Sequence, residues 1–380
     1  MGATIDLGRM QRRALLPVVV LMGTAAAVTW ISNIRQGVFG FDFYRGMWVA
    51  SHHLAHGQSI YPAADPGTLL GQGAPYVWPP PLALLGVPLT WLPWHAAGVV
   101  WVLLNLAFLA GGLWLVGLRN WRLWLLALFS FPVTSGLLLG QPNGLLALLA
   151  ALAWRYRDQA LRGGAAAGAA VALKLLAWPM ILWFVFTRRW RAAGTSLVVA
   201  LLSLLTSWAI TGWSGLGEYP ALLAADARAF QSHSFSLTAL ATNAHLTPDV
   251  GRLACMLAAL ALIVLSRFTA RTDELGAYGL ATFAGIIASP VVHLHYLAAM
   301  LIPLAASRPH RLWPWLLLVV FWLTPSETST SSTNIILVIA ATAAILVGSM
   351  ERPHLFRQRG SGAGGRCVVA ALADQKSVGG

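Results

Sequence analysis

Long apolar runs, separated by short segments that hold most of the charges, constrain this sequence more than any other feature. A soluble domain is typically about 25% charged, whereas charged residues make up 10% of this chain. A membrane-spanning helix needs about 20 apolar residues. The pattern therefore predicts an all-α polytopic membrane protein. The apolar runs lie at about 14–34, 82–93, 96–118, 122–139, 143–154, 163–187, 191–213, 252–266, 276–291, 295–307, 312–324 and 333–349.

The distribution of basic residues predicts the topology. Run 163–187 is either one span or two half-length segments meeting near Lys174, and only the second keeps the cluster Arg188–Arg191 cytoplasmic. With that choice, five of the 25 Lys and Arg residues fall outside: Arg35, Arg45, Lys174, Arg228 and Arg252. Together with the apolar runs, this asymmetry predicts about 12 membrane segments with both termini in the cytoplasm, and we expect the membrane to be a bacterial inner membrane. It also explains the net charge of +13 without a nucleic-acid partner, since no basic patch carries an aromatic stacking platform.

The remaining segments define one domain and a tail. We predict a single membrane domain at 1–355 and a disordered cytoplasmic tail at 356–380, which is rich in glycine near its start. Run 82–93 follows Pro79-Pro80-Pro81 and is too short to span, so it predicts an interfacial helix in an outer-face loop. The larger outer pieces are expected at about 35–95, 214–251 and 325–332.

Several polar residues are expected together at the outer face, which indicates a water-accessible cavity because uncompensated polar groups at membrane depth are costly. Asp42 lies among aromatic residues in Gly40–Tyr44. It is either the N-cap of a helix over 43–56 or, with its pKa raised by partial desolvation, a general base. The other acids expected outside are Asp65, Glu218, Asp226, Asp249 and Glu327.

Five further residues, in three parts of the chain, are candidates for substrate contacts. Lys174 interrupts an apolar run, where it either snorkels to the interface or binds an anion such as a lipid phosphate. Gln141 and Asn143 flank Pro142 at a break that has a structural explanation of its own, because their side chains can satisfy freed backbone groups. For His293 and His295 there are three alternatives: they are packed in the protein interior, they bind a metal ion, or they contact a phosphate or a sugar. No carboxylate stands beside them in the sequence, and we predict no metal.

These residues and their neighbouring motifs, taken in their order along the chain, resemble those of the membrane glycosyltransferases of the C superfamily. The resemblance is greatest to family 87, which includes α-1,2-mannosyltransferases. Individually the motifs are weak, but the ordered set covers about residues 40–300. The matching residues are Asp42-Phe43-Tyr44; Leu54, Gly57 and Tyr61; Trp78-Pro79-Pro80 with Pro88, Leu89, Leu92 and Pro93; Gly140, Gln141 and Asn143; Lys174 with Pro179; Arg188-Arg189-Trp190; and Ser289-Pro290 with His295-Tyr296. Trp78 replaces the usual Tyr, and the family's Asn-Gln-Ser stretch in the central outer loop is reduced to Ser234-Phe235-Ser236.

The resemblance implies an enzyme that transfers a hexose, predicted to be mannose, from a polyprenyl phosphate donor to a lipid or glycan acceptor at the outer face, with inversion. Asp42 would be the base, and Lys174 and His295 would bind the donor phosphate. Tyr44, Gln141, Asn143 and His293 would contact substrate. No cofactor is expected, since no Gly-rich phosphate loop is found. The alternative is a lipid flippase or solute transporter that uses the same outward-opening cavity without chemistry.

Overall fold

The computed structural model describes residues 7–72, 75–307 and 311–350, and within these ranges the regular structure is helical. The predicted tail at 356–380 lies outside the described residues. The first nine α-helices are α1 Leu7–Arg35, α2 Val49–Ala55, α3 Pro66–Gln72, α4 Pro80–Gly86, α5 Trp94–Leu115, α6 Trp121–Leu128, α7 Phe131–Leu139, α8 Asn143–Arg155 and α9 Ala160–Leu173. They are followed by α10 Pro179–Phe186, α11 Trp190–Thr211, α12 Ser214–Ala229, α13 Leu237–Asn243, α14 Pro248–Thr269, α15 Glu274–Ala288, α16 Leu301–Ala306, α17 Leu312–Leu316 and α18 Ser332–Ser349.

Five tighter or wider helical segments connect or extend these helices. One has π-helical geometry, Phe43–Trp48, and leads directly into α2. The others are 3₁₀ segments: Val87–Trp91, Leu175–Ala177, Leu294–Met300 and Leu317–Leu323. The run predicted as an interfacial helix is helical, as α4 continued by a 3₁₀ segment.

Five helices of the described chain are long and apolar enough to cross a membrane, or six if α6 and α7, bent by 57° at their junction, form one span. The five begin with Leu15–Arg35 of α1 and continue with α5, α11, α14 and α18. The other apolar segments, each counted as an α-helix together with any adjoining 3₁₀ segment, are 10–17 residues long, shorter than the usual span of about 20 residues. The protein is thus an all-helical, multi-pass membrane protein, and the expected 12 segments are not all full-length helices.

Small residues allow a close helix contact between α9 and α11. A Cβ placed on Gly164 would lie 2.6 Å from the carbonyl oxygen of Ala192, and one on Gly168 would clash with that of Ser196. Because lipid tails are as apolar as the side chains, helices in a membrane associate through such close packing rather than through the hydrophobic effect. This contact fixes the position of α9, and with it Lys174 at its end.

The chain breaks at both positions that the sequence predicted. Helix α7 ends at Gly140, whose φ of 77° is left-handed, and the N–H of Gln141 donates to the carbonyl of Gly136 (2.8 Å). This Schellman geometry is the usual role of glycine after a helix, and Pro142 then begins the turn into α8. Similarly, α9 stops at Lys174, which is extended (φ −150°, ψ 109°). The structure therefore confirms two helices that meet near Lys174, rather than one continuous helix.

Aromatic packing fixes the segments between the long helices. Tyr61 stacks on Trp208 of α11 (5.5 Å) and lies against Tyr76 and Tyr219. The phenol of Tyr219, on α12, donates to the backbone carbonyl of Val77 (3.0 Å). These contacts hold α12 beside the segment that carries Trp78, so both form part of one wall of the site.

Candidate active site

Asp42 is positioned by a loop that is hydrogen-bonded to the end of α7. The N–H of Gly40 donates to the carbonyl of Leu138 (2.8 Å), and the indole of Trp101 donates to the carbonyl of Gly140 (2.7 Å). Phe43 is buried and stacks on Trp101 (5.9 Å). The loop and the break after α7, distant in sequence, therefore form one rigid unit.

The carboxylate of Asp42 faces this break instead of capping a helix. Its backbone precedes the π-helical segment, but its side chain makes no capping hydrogen bond. Nε2 of Gln141 instead donates to Oδ2 of Asp42 across 2.5 Å. Burial raises the pKa of Asp42 to about 6, even though His295, the Gln141 hydrogen bond and Lys174 all act to lower it. A carboxylate with such a pKa is ionised at neutral pH and basic enough to accept a proton.

Lys174 presents its ammonium group to an aromatic ring. Its Nζ lies 3.5 Å from the centre of the Tyr296 ring, and the residue is 8% exposed. Lys174 forms no ion pair with any described acid within 4.0 Å, although the charges of Glu327 and Asp42 act on it. A cation–π contact leaves the three N–H donors of a lysine largely unused. The lysine is therefore able to bind an anion.

His295 is held by an acid that sequence analysis listed only as one of several outer carboxylates. Nδ1 of His295 lies 2.6 Å from Oε2 of Glu327, and the backbone N–H of His295 points to the same oxygen (3.3 Å). Burial opposes ionisation of Glu327, but the charge and hydrogen bond of His295 bring the pKa of Glu327 to about 2. Nε2 of His295 is buried without a hydrogen-bond partner in the described protein, so it is the ring nitrogen left for a ligand.

His293 lies beside His295 but differs in its electrostatics. The two rings stack at 5.6 Å, and Nδ1 of His293 lies 3.2 Å from the backbone oxygen of Glu327. Burial, reinforced by His295, lowers the pKa of His293 to about 4. The ring is therefore neutral near pH 7 and cannot contact a phosphate as a cation.

The two remaining predicted residues occupy different surroundings. Nδ2 of Asn143 donates to the backbone oxygen of His295 (2.9 Å), which joins the start of α8 to the histidine segment. Tyr44 packs on Trp94 (4.4 Å) and Trp48 (5.8 Å). The structure thus brings together Asp42, Gln141, Asn143, Lys174, His293 and His295, while Tyr44 lies in a neighbouring aromatic stack.

A cavity of about 280 Å³ adjoins Lys174 and Tyr296. Trp78, Trp178, Tyr219 and Asp226 also line it. A second, more apolar cavity of about 60 Å³ shares Lys174 and Tyr296 and extends between α8, α9, α10 and α15. The lysine and tyrosine therefore stand between a partly polar space and an apolar one.

Sequence reasoning missed the roles of two residues. Glu327 lies 32 positions from His295 in a short loop before α18, and only its position as an acid between two apolar runs marked it. Tyr296 belonged to a matched motif, but no local pattern indicated that its ring would face Lys174. Among the described residues, no group of three or more His, Cys, Asp or Glu side chains is arranged to hold a metal ion.

These features define a multi-pass membrane protein in which a loop and the breaks between short helices bring an acid, a lysine and a histidine together. The sequence profile of glycosyltransferase family 87 matches residues 76–292, more than half of the chain. The chain therefore belongs to glycosyltransferase family 87 and is a glycosyltransferase. The matched range includes Gln141, Asn143 and Lys174 but not Asp42 or His295.

Two relatives are named for their donor and acceptor. One is the polyprenol-phosphate-mannose-dependent α-(1-2)-phosphatidylinositol pentamannoside mannosyltransferase of Mycolicibacterium smegmatis, which is 27% identical over 337 residues (83% of this chain and 76% of the relative). The other is the polyprenol-phosphate-mannose-dependent α-(1-2)-phosphatidylinositol mannoside mannosyltransferase of Mycobacterium tuberculosis, 31% identical over 167 residues (37% and 39%). No solved structure matches.

Proposed function

We propose that this protein transfers mannose from a polyprenyl phosphate mannose donor to a hydroxyl group of a lipid or glycan acceptor. The observation that carries the proposal is the grouping of a raised-pKa acid, Asp42, with a buried lysine, Lys174, whose ammonium group no described acid pairs. Family membership and the names of the two relatives support the reaction and the donor. Phosphatidylinositol mannosides are the first acceptors to test.

The chemistry is a single displacement. The carboxylate of Asp42 takes the proton of the acceptor hydroxyl as its oxygen attacks the anomeric carbon. The bond between that carbon and the phosphate oxygen breaks, and its electron pair leaves with the polyprenyl phosphate. Attack from the side opposite the leaving group inverts the configuration at the anomeric carbon.

The other residues stabilise the leaving phosphate or orient the side chains that act in the reaction. Lys174 and Nε2 of His295 neutralise charge on the leaving phosphate, which needs no protonation to depart. Gln141 orients the carboxylate of Asp42 through its amide, and Glu327 orients the ring of His295. Asn143 holds the backbone of His295. Under this proposal His293 contacts substrate only as a neutral ring, and Tyr44 bounds the site from its aromatic stack.

We place the site at the outer face of a bacterial inner membrane, with both termini cytoplasmic. In this arrangement the short apolar helices join the longer ones to give about 12 segments, and residues 1–355 form a single domain. The basic cluster around Arg189, which pairs with Asp158 (2.6 Å) and Glu274 (2.5 Å), would then lie on the cytoplasmic side. The positive-inside rule supports this orientation.

The proposal is tested with purified protein, radiolabelled polyprenyl phosphate mannose and phosphatidylinositol mannosides. The wild type should form a labelled glycolipid, and Asp42→Asn should lower the rate by about 10²–10⁴ because the general base is lost. Asp65→Asn is the control, since Asp65 is exposed and only caps α3 through Thr68. Full activity of Asp42→Asn would refute the mechanism, and lipid transport without product would favour a flippase.

A further inference from the structure

Asp226 is a half-buried acid that the reaction described above does not use. It lies on α12, and its carboxylate makes no hydrogen bond or ion pair to any residue in the described part of the chain. Burial raises its pKa to about 6. Leaving a desolvated carboxylate without a partner costs stability, and a ligand with hydrogen-bond donors would supply the missing hydrogen bonds.

The helix that carries Asp226 is anchored rather than free. Tyr219 lies about two turns before Asp226 on the same face of α12, and its phenol donates to the carbonyl of Val77 (3.0 Å). Tyr219 also packs edge-to-face on Trp208 (5.6 Å). Tyr219, Leu223 and Asp226 recur at helical spacing and all line the 280 Å³ cavity. The carboxylate is therefore held at a fixed position in its wall.

The rest of the cavity combines a cation with aromatic surfaces. Lys174 and Tyr296 line it as well, and Lys174 forms no ion pair with Asp226. Trp78 and Trp178 add indole rings, and Trp178 is 39% exposed. Pockets for drug-sized molecules measure about 300–1,000 Å³, so a space of this size suits one sugar ring better than an oligosaccharide.

We propose that Asp226 binds hydroxyl groups of the donor's hexose and that this cavity is the sugar subsite. The inference rests on the proposed function, because it requires a glycosyl phosphate with its phosphate at Lys174. The attached sugar would then extend between Trp78 and Trp178 towards Asp226. A carboxylate has two acceptor oxygens, so it can accept hydrogen bonds from neighbouring hydroxyls and can distinguish sugars by their stereochemistry.

The test compares two ligands that differ only in the sugar: polyprenyl phosphate mannose and unsubstituted polyprenyl phosphate. Calorimetry on the full chain in lipid nanodiscs measures both affinities. Asp226→Ala should weaken the mannosylated ligand by about 10- to 100-fold, the loss expected for hydrogen bonds to a charged group, and should leave the unsubstituted ligand unchanged. Glu218→Gln, an exposed acid on the same helix, is the matched control and should change neither affinity.

Deoxy-mannose donors identify the hydroxyl that is bound. A donor lacking the hydroxyl that Asp226 accepts should bind the wild type weakly and should lose no further affinity in Asp226→Ala. Removing the other hydroxyls should act additively with the substitution. Because the carboxylate is unpartnered in the free protein, Asp226→Ala should keep or raise the unfolding temperature, which separates a binding role from a structural one.

Different results separate the possible failures. Equal weakening of both ligands by Asp226→Ala would overturn the inference, because the sugar would not be the group recognised. An effect on the acceptor KM alone would overturn it as well, since the cavity would then hold the acceptor. A wild type that binds neither polyprenyl ligand would refute the proposed function itself, and the inference with it.

Discussion

Nδ1 of His295 lies 2.6 Å from Oε2 of Glu327, and this contact determines which part of the imidazole faces a ligand. The carboxylate accepts from Nδ1 and from the backbone N–H of His295. Nε2 is therefore directed away from the acid, and it has no partner in the described protein. An acid that orients a histidine from one nitrogen while the other contacts the substrate recurs in many active sites.

Removing Glu327 should impair donor use. Glu327→Ala frees the His295 ring and removes a charge-assisted hydrogen bond, so kcat/KM for the donor should fall roughly 10- to 100-fold. Glu327→Gln retains an acceptor and should recover part of the loss. Initial rates at varied donor concentration test this, with exposed Thr330→Ala in the same loop as the control. Equal rates for Glu327→Ala and the control would contradict the assigned role.

Gln141 should set the pH dependence of the reaction. Because Asp42 must be ionised to accept a proton, the rate should fall as pH drops through its pKa of about 6. The Gln141 hydrogen bond lowers this pKa, so Gln141→Met should move the acidic limb of the profile to higher pH. The measurement is kcat/KM from pH 5 to 8, with exposed Gln58→Met as the control. A limb that stays in place would show that Asp42 titrates independently of Gln141.

Lys174 should act on the phosphate of the donor. Lys174→Met should weaken binding of unsubstituted polyprenyl phosphate by roughly 10- to 100-fold, because a charged hydrogen-bond donor is lost. Tyr296→Leu removes the ring under the ammonium group, a contact of about 2 kcal/mol when desolvated, and should weaken the same ligand less. Tyr296→Phe keeps the ring and is the control for the hydroxyl. Unchanged affinity in Lys174→Met would exclude a phosphate contact.

Gly140 should be required for the contact between the Asp42 loop and the end of α7. A Cβ at Gly140 would lie 2.6 Å from Cβ of Phe43, so Gly140→Ala should push the loop and Asp42 away from Gln141. Gly57→Ala is a matched control, since Gly57 also has a positive φ (68°) but has nothing within 4 Å of the added atom. Both variants bear the strain of a left-handed backbone, about 1–2 kcal/mol.

The difference between these two glycine variants isolates the steric clash. Gly140→Ala should be about 1–3 kcal/mol less stable than Gly57→Ala, measured by thermal unfolding in detergent, and should also lose activity. Equal stability of the two variants would mean that the loop accommodates the methyl group.

The topology is tested with reporter fusions. Fusions after Arg122, Arg191 and Arg311 should report a cytoplasmic location, and those after Asp65, Asp226 and Glu327 an external one, because basic loops stay inside. The fusion after Arg191 decides whether α9 and α10 return the chain to the cytoplasm. An external signal there would mean that they form one span and that the downstream orientation is reversed.

The sequence by itself determined the features that neighbouring residues encode. Apolar run length predicted a helical membrane protein, Gly140 and Pro142 predicted the end of α7, and Lys174 predicted the break after α9. Each depends on local physics: the hydrophobic length of a span, the left-handed freedom of glycine or the cost of a charge in an apolar run. The same local reasoning could not decide whether Asp42 is a helix N-cap or a general base, because it uses only the residues that neighbour Asp42 in the sequence.

Only the tertiary structure decided which side chains meet. Gln141 lies 99 residues from Asp42, Glu327 lies 32 from His295, and Tyr296 lies far along the chain from Lys174. A contact between positions distant in sequence depends on how the helices pack. For example, α11 can pack closely on α9 because Gly164 and Gly168 have no side chains. No local pattern records that packing, since the free energy of the contact arises only when both partners are buried together.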